Sequence, residues 1–182
     1  VVYTLLIEVS VIIVGTLVST LAAFAFAKLK FKGKKALLLT LMSSMMVPYA
    51  AVMLPQYRAF QNMMLTETLA PLILPGLFGN ISMTFFLVTY MKEGIPDSLI
   101  ESAKIDGSSY FQMFIKLALP LAKPDIAAQA IFWFVGIWND FFAPSIYLTG
   151  EVKTLQVYLN SLISSEGSGI ELPTLMAGSV LA

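Results

Sequence analysis

The sequence contains no cysteine and no histidine. Their absence excludes disulfides, thiolate nucleophiles, Cys/His zinc sites, haem ligation through imidazole and every catalytic dyad that needs a histidine. Charge is scarce too: charged residues are 12% of the 182, and 11 Lys+Arg against 11 Asp+Glu leave a formal net charge of zero. Such a chain offers no basic surface with which to displace the counterions of a nucleic acid. What fills the sequence instead is apolar. Hydrophobic residues make up 58% and the mean hydropathy is +0.82, against roughly 45–50% apolar residues in an ordinary soluble domain. This is the composition of a membrane chain, and it rules out a large soluble core.

A helix crossing the hydrocarbon needs about 20 apolar residues. Four stretches of that order follow one another: Val9 to Ala27, Ala36 to Leu54 with Pro48 inside it, Leu69 to Met91, and Ile126 to Leu148. The third carries Pro71, Pro75, Gly76 and Gly79 in its first half, which predicts an irregular start or a kink packed against protein rather than lipid. Glu8, at the lip of the first, is expected at the interface, because a carboxylate at mid-membrane costs several kcal/mol. A further apolar run begins at Leu172 and stops at Ala182, too short to span. The chain opens at Val1 with neither the basic n-region nor the cleavage site of a signal peptide. Both ends are expected to be cuts, and the chain to be the middle of a longer all-α, polytopic transmembrane helix bundle.

Loop charges orient that bundle. Lys28, Lys30, Lys32, Lys34, Lys35, Lys92, Lys104, Lys116 and Lys123 follow the first and third spans, whereas the opposite loops hold only Arg58 and Lys153. By the positive-inside rule, residues 28–35 and 92–124 are expected in the cytoplasm, and residues 55–68 and 149–171 outside. The five lysines of 28–35 are read as solvated, lipid-phosphate-facing anchors rather than as a specific ligand site. The Met-rich run Met42, Met45, Met46 and Met53 reads as adaptable packing rather than a metal site.

Residues 92–124 are too long and too regularly patterned for a plain connector, which usually takes fewer than about ten residues. Pro96 leads into Ser98-x-x-Glu101, the pattern of a capping box, and a short helix should follow and stop at Asp106-Gly107. Ser109-x-x-Gln112 starts a second helix, with Phe111, Phe114, Ile115 and Ala118 on one stripe, ending before Pro120 and Pro124. Neither helix is long enough to cross a bilayer. A plain interfacial helix is one reading; the polar Glu101, Lys104, Asp106 and Gln112 beside apolar anchors favour the other, a docking element for a partner.

Glu101-Ser102-Ala103, Asp106-Gly107-Ser108, Phe114 and Leu119-Pro120 with Pro124 resemble the EAA loop of permease subunits of bacterial binding-protein-dependent ABC importers, with Ser102 in place of the first Ala of the family pattern. Ala23-Phe24-Ala25-Phe26-Ala27-Lys28 with Phe31-Lys32-Gly33-Lys34, Trp138-Asn139-Asp140-Phe141 with Pro144, and Leu175-Met176-Ala177-Gly178 are similar to the carbohydrate branch, the MalG-like permeases. The resemblance implies the MetI-like permease fold over residues 1–182, with a span before Val1 and a completed last span after Ala182. It implies that residues 92–124 are the cytoplasmic coupling loop, with Glu101, Ser102, Ala103, Asp106, Gly107, Phe114 and Pro120 engaging the ATPase. It also implies the bacterial inner membrane, a dimeric ABC ATPase, a second permease, an extracytoplasmic sugar-binding protein and a sugar as substrate.

Inside the membrane, Asn139 and Asp140 sit in the second half of the fourth stretch, about 21 Å along a roughly 30 Å core. They are either hydrated belt residues at the outer interface or, facing the interior, part of the sugar path or of the contact with the second permease. Gln129, Ser82 and Thr84 join such a lining, or serve as interhelical glue. No phosphate-binding G-x-x-x-x-G-K-[ST] occurs, so ATP hydrolysis is expected on a separate subunit, and neither catalysis, cofactor nor metal is assigned to this chain. An importer permease is the reading chosen. Its alternatives are a permease for another substrate class, a non-transport or channel-forming membrane protein, and an intramembrane enzyme pairing Asp125 with Asp140. The last scores poorly, because those carboxylates lie about 22 Å apart on a continuous helix.

Overall fold

The computed structural model describes residues 1–164 and 172–181, and there the chain is helical without a strand. In order the elements are α1 (Val2–Lys28), α2 (Lys34–Ser44), α3 (Tyr49–Asn62), α4 (Ala70–Leu77), α5 (Ile81–Gly94), α6 (Asp97–Ile105), α7 (Tyr110–Met113), a π-helical turn (Phe114–Ala118), α8 (Leu119–Leu121), α9 (Lys123–Trp138), α10 (Phe142–Tyr147), α11 (Leu155–Ser164) and α12 (Leu172–Leu181). Residues 165–171 of the loop expected outside, and the end of the last apolar run at Ala182, lie outside the described residues.

Among the described residues two helical stretches are long and apolar enough to cross a membrane, α1 with 27 residues and Ala70–Gly94, which is α4 continued by α5, with 25; the bent pair α2 and α3 makes a third if it is one span. In α1 the small and polar residues turn inward and most large apolar residues turn outward. Thr4, Ile7, Glu8, Val11, Gly15, Ser19 and Ala23 recur every three or four residues on its buried side, while Leu6, Val9, Ile13, Leu17 and Leu21 stay exposed. The small residues let other backbones approach, as in membrane helix pairs generally. A Cβ on Gly15 would strike the Trp133 ring of α9 and lie 2.5 Å from the carbonyl oxygen of Gly76, and one on Gly76 would lie 2.6 Å from Val11.

The expected kink in the third span is present. α4 ends at Leu77, Gly79 takes φ +97°, and α5 restarts at Ile81. The backbone groups freed by this break are satisfied from α1: the Asn80 amide donates to Ser19 Oγ at 2.8 Å, while Asn80 Oδ1 accepts from the Met83 amide at 3.0 Å as the cap of α5.

Three expectations are corrected. The stretch from Ala36 to Leu54 is not one straight span, since α2 and α3 are bent by 92° at Met45–Pro48. Pro48 lacks an N–H and pushes Val47 out of the helical region, which ends the helix there. The stretch from Ile126 to Leu148 is also broken, because α9 ends at Trp138 and α10 begins at Phe142. Finally, Glu8 is not a hydrated residue at the lip. α1 starts at Val2, so Glu8 falls in its second turn on the inward face; it is 1% exposed, and neither carboxylate oxygen has a hydrogen-bond partner among the described residues.

The main core lies at the lysine-rich end of the bundle. It joins Ala23, Phe24 and Phe26 of α1 and Met83, Leu87, Val88 and Met91 of α5 to Ile95, Ile100, Met113, Phe114, Ala118 and Ala122. The connection between α5 and α9 is thus packed into the bundle.

Candidate functional site

The helical connection 95–122 is built from signals that can be followed residue by residue. Pro96, with ψ 137°, sets the chain extended before α6, which begins at Asp97. This corrects the first expected capping box: Ser98 already lies within the helix, and no side chain caps its start. Asp97 instead reaches Lys28 at the end of α1, with Nζ to Oδ1 2.6 Å. Lys28 Nζ also donates to the Ile95 carbonyl at 2.6 Å. That ammonium holds the Asp97 carboxyl below its ordinary range, first by the hydrogen bond and then by its charge.

The corner after α6 is as expected. Gly107 takes φ +77°. The Gly107 amide donates to the Lys104 carbonyl at 3.1 Å and the Ser108 amide to the Ala103 carbonyl at 3.0 Å, a Schellman closure. The second capping box is formed in full: the Gln112 amide donates to Ser109 Oγ at 3.2 Å and the Ser109 amide to Gln112 Oε1 at 2.9 Å.

The expected stripe of the second helix splits. Phe114 and Ala118 are buried, the Phe114 ring lying 5.6 Å from that of Phe24, whereas Phe111 and Ile115 are exposed. The π-helical turn over Phe114–Ala118 adds a residue to the turn and so rotates the faces apart. The helix also continues through Pro120, rather than ending before it, into α8 and then α9.

The seven loop residues singled out from the sequence are therefore not equivalent. Glu101, Ser102, Asp106, Gly107 and Pro120 are exposed, Ala103 is half-buried against the core, and Phe114 belongs to the core itself. Sequence reasoning missed two outward apolar partners, Ile105 at 86% exposed and Tyr110 at 54%, and set Phe111, 64% exposed, on one stripe with the buried Phe114. All three lie within four positions of Gly107 in the sequence, and a Cβ added there would meet nothing within 4 Å. The result is an open corner bearing two aromatic rings and an isoleucine, on a base wedged between α1 and α5.

The membrane residues also separate. Gln129 and Ser82 line one cavity of about 510 Å³ between α5 and α9, together with Asn80, Met83, Phe86, Phe132, Trp133 and Gly136. Thr84 does not join it, its hydroxyl donating to the Asn80 carbonyl at 2.8 Å. Asn139 and Asp140 are elsewhere, at the break between α9 and α10. Asn139 Nδ2 donates to the Val135 carbonyl at 2.8 Å, and Asp140 Oδ1 accepts from the Phe142 and Ala143 amides at 3.0 and 3.3 Å. Both close helix ends. Asp140 also borders a second cavity with Tyr49, Gln56 and Phe142.

The family described as binding-protein-dependent transport system inner membrane component matches residues 15–182. Over 176 residues the chain is 31% identical to the arabinooligosaccharides transport system permease protein AraQ of Halalkalibacterium halodurans, covering 96% of this chain and 62% of that protein. It is 30% identical to the osmoprotective compounds uptake permease protein GgtD of Synechocystis, covering 90% of this chain and 56% of that one. The chain thus spans less than two thirds of the length of these relatives. Its fold is that of a chain in the crystal structure of a bacterial ABC transporter involved in the import of the acidic polysaccharide alginate, with a TM-score of 0.81 at 24% identity, covering 99% of this chain and 62% of that one.

Proposed function

The chain belongs to the family of binding-protein-dependent transport system inner membrane components, and from that premise we propose that it forms part of the translocation path of an ABC importer for a carbohydrate. In this reading it is a non-catalytic, multi-pass subunit whose 92–124 connection docks on a separate, dimeric ATP-hydrolysing subunit. The observation that carries the reading is the corner at Gly107, where Ile105, Tyr110 and Phe111 stand out from a base buried between α1 and α5. A solvated connector has no use for three exposed large apolar side chains around an open glycine, whereas a groove on a partner does.

Closure of the ATP-hydrolysing dimer would move α6 and α7. Phe114 against Phe24, and Asp97 on Lys28, would pass that movement to α1, and α8 would pass it to α9. Helices rocking about their packed interfaces would then open the path first to an extracytoplasmic binding protein and afterwards to the cytoplasm. Nine of the eleven basic residues lie in the first and third connections, which supports a cytoplasmic position for this corner. A second permease subunit completes the path.

Carbohydrate is favoured by the chemistry of the cavity between α5 and α9. Asn80, Ser82 and Gln129 offer amide and hydroxyl groups beside Phe86, Phe132 and Trp133. Polar groups that fix hydroxyls, next to aromatic faces that pack on a sugar ring, suit a polyhydroxylated solute better than an ion. One relative is named for arabinooligosaccharides and the other for osmoprotective compounds.

The test uses the full-length permease assembled with its partner subunits. Ile105→Asp combined with Phe111→Asp, and separately Gly107→Val, should lower both the co-purifying ATP-hydrolysing subunit and ATP-driven oligosaccharide uptake roughly tenfold or more, the scale of losing an interface anchor. The permease should still be inserted. Undiminished co-purification and uptake in both variants would make residues 97–121 a structural linker and remove the coupling role.

A further inference from the structure

Where α1 ends and α2 begins, the chain turns through Gly33 at φ +80° and leaves a cavity of about 450 Å³ lined by Phe31, Gly33, Lys34, Lys35, Leu38 and Lys92. No carboxylate borders it. The only ion pair among the described residues joins Lys28 to Asp97. Lys34 is disfavoured as a cation first by burial and then by Lys92, with smaller effects of Lys28 and Lys30, and the charge of Asp97 partly offsets them. Its ammonium leans on the end of α1, donating to the Leu29 carbonyl at 2.8 Å, which leaves Lys35 and Lys92 as unpaired cations at the rim. The start of α2 has no side-chain cap. Its first N–H groups, which no helix satisfies internally, therefore add their partial positive charge to the same place.

Three sources of positive potential meet at this cavity, while the one carboxylate that acts on the cluster, Asp97, is held by Lys28 and does not line it; the geometry points to a phosphate ester as the ligand, and we propose that this cavity holds the headgroup phosphate of an anionic phospholipid. The position selects a lipid over a free anion. Lys28 and Lys92 stand near the ends of the two membrane-length stretches, at the depth where headgroups lie. Phe31 and Leu38 supply an apolar wall, and α2 leaves the cavity with no buried residue and with Leu37, Leu39 and Leu41 exposed, a surface on which an acyl chain can lie. The five lysines near α1 thus do more than face the bilayer diffusely, because two of them and the start of α2 form a defined pocket.

The inference needs only the membrane placement of the helices and not the transport reading. Its test is binding of phosphatidylglycerol to the full-length permease in its assembled transporter, delipidated and returned to phosphatidylcholine, with bound lipid counted by native mass spectrometry. The wild type is expected to retain phosphatidylglycerol. Lys35→Gln combined with Lys92→Gln is expected to weaken retention roughly 25-fold, at about 1 kcal/mol for each lysine. Ala36→Glu places a carboxylate at the pocket, where it favours the helix start and repels a phosphate, so it is expected to abolish retention without loss of folding. Arg58→Gln with Lys153→Gln, outside both the pocket and the 92–124 connection, is the charge-matched control and should leave retention unchanged. Equal retention in wild type and both pocket variants would overturn the proposal. Binding of inorganic phosphate at the pocket without preference for phosphatidylglycerol would overturn the assignment to lipid.

Discussion

Lys28 illustrates how far a side chain's role can lie from its sequence neighbourhood. Counted with four other lysines, it is one more charge at the end of a span. In the fold its side chain is 2% exposed and its ammonium donates to Asp97 Oδ1 and to the Ile95 carbonyl, each at 2.6 Å. The partner is 69 positions away, and nothing in the local pattern announces it. Removing the two ends of this contact is not equivalent. Lys28→Ala leaves the Ile95 carbonyl without its donor and opens a void, so a loss on the order of 2–3 kcal/mol is expected. Asp97→Asn leaves the ammonium on its carbonyl and removes only a solvent-exposed charge, so a smaller fall in Tm is expected. Thermal unfolding of the purified permease checks the order of the two. Since the Asp97 carboxyl is held below its ordinary value of 3.8, the stability it contributes should be complete above that value and disappear as pH falls through the lower folded value. Wild type and Asp97→Asn should therefore converge on acidification. Glu67 makes a similar distant contact at the opposite end, its carboxylate accepting from the Thr149 hydroxyl and, at 2.9 Å, from the Gly150 amide. Asn139 and Asp140 show the reverse case: both stood out in the sequence as polar groups in an apolar stretch, and both close helix ends at a break that hydropathy alone did not reveal.

Helices were legible where composition and punctuation agreed. α1 was readable because nothing interrupts its apolar run, the kink before α5 because Pro71, Pro75, Gly76 and Gly79 cluster there, and α7 because Ser109 and Gln112 form their capping box. The break at Pro48 was misread as a point inside a span. A proline in a long apolar run is compatible with a kink or with a full stop, and here the two helices on either side of it are bent by 92°. The π-helical turn over Phe114–Ala118, at whose start Phe114 packs on Phe24, was not announced by the capping and periodicity signals of the sequence. Glycines can be sorted by the same packing. Gly15 has the Trp133 ring against it and the Gly76 carbonyl at 2.5 Å from a would-be Cβ, whereas Gly136 has nothing within 4 Å. Gly15→Leu must separate α1 from α4 and α9, at a cost of about 1–3 kcal/mol or more, and Gly136→Ala should be tolerated. Tm and yield of the detergent-solubilised protein distinguish them, and equal behaviour would mean that α1 does not cross α4 and α9 as closely as described.

These parts join into a bundle whose core and whose lysine-rich end coincide. The connection from Ile95 to Ala122 shares that core with α1 and α5, so a push on its exposed corner has a packed route into the helices that cross the bilayer. The class of the fold was readable from apolar runs and the EAA pattern together, because both are local; which loop residues face outward was not, because that depends on how the loop seats against α1. The chain's lack of cysteine makes the decisive experiment direct. With Ile105→Cys in a full-length permease whose cysteines outside these 182 residues, and those of its partner subunits, are replaced by serine, a thiol-linked photoactivatable probe can be attached at this position in membranes carrying the assembled importer. Illumination should yield a product with the combined mass of the permease and the ATP-hydrolysing subunit, and its yield should change when ATP is added. Cross-linking confined to lipid or to the permease itself, with and without ATP, would contradict the coupling account.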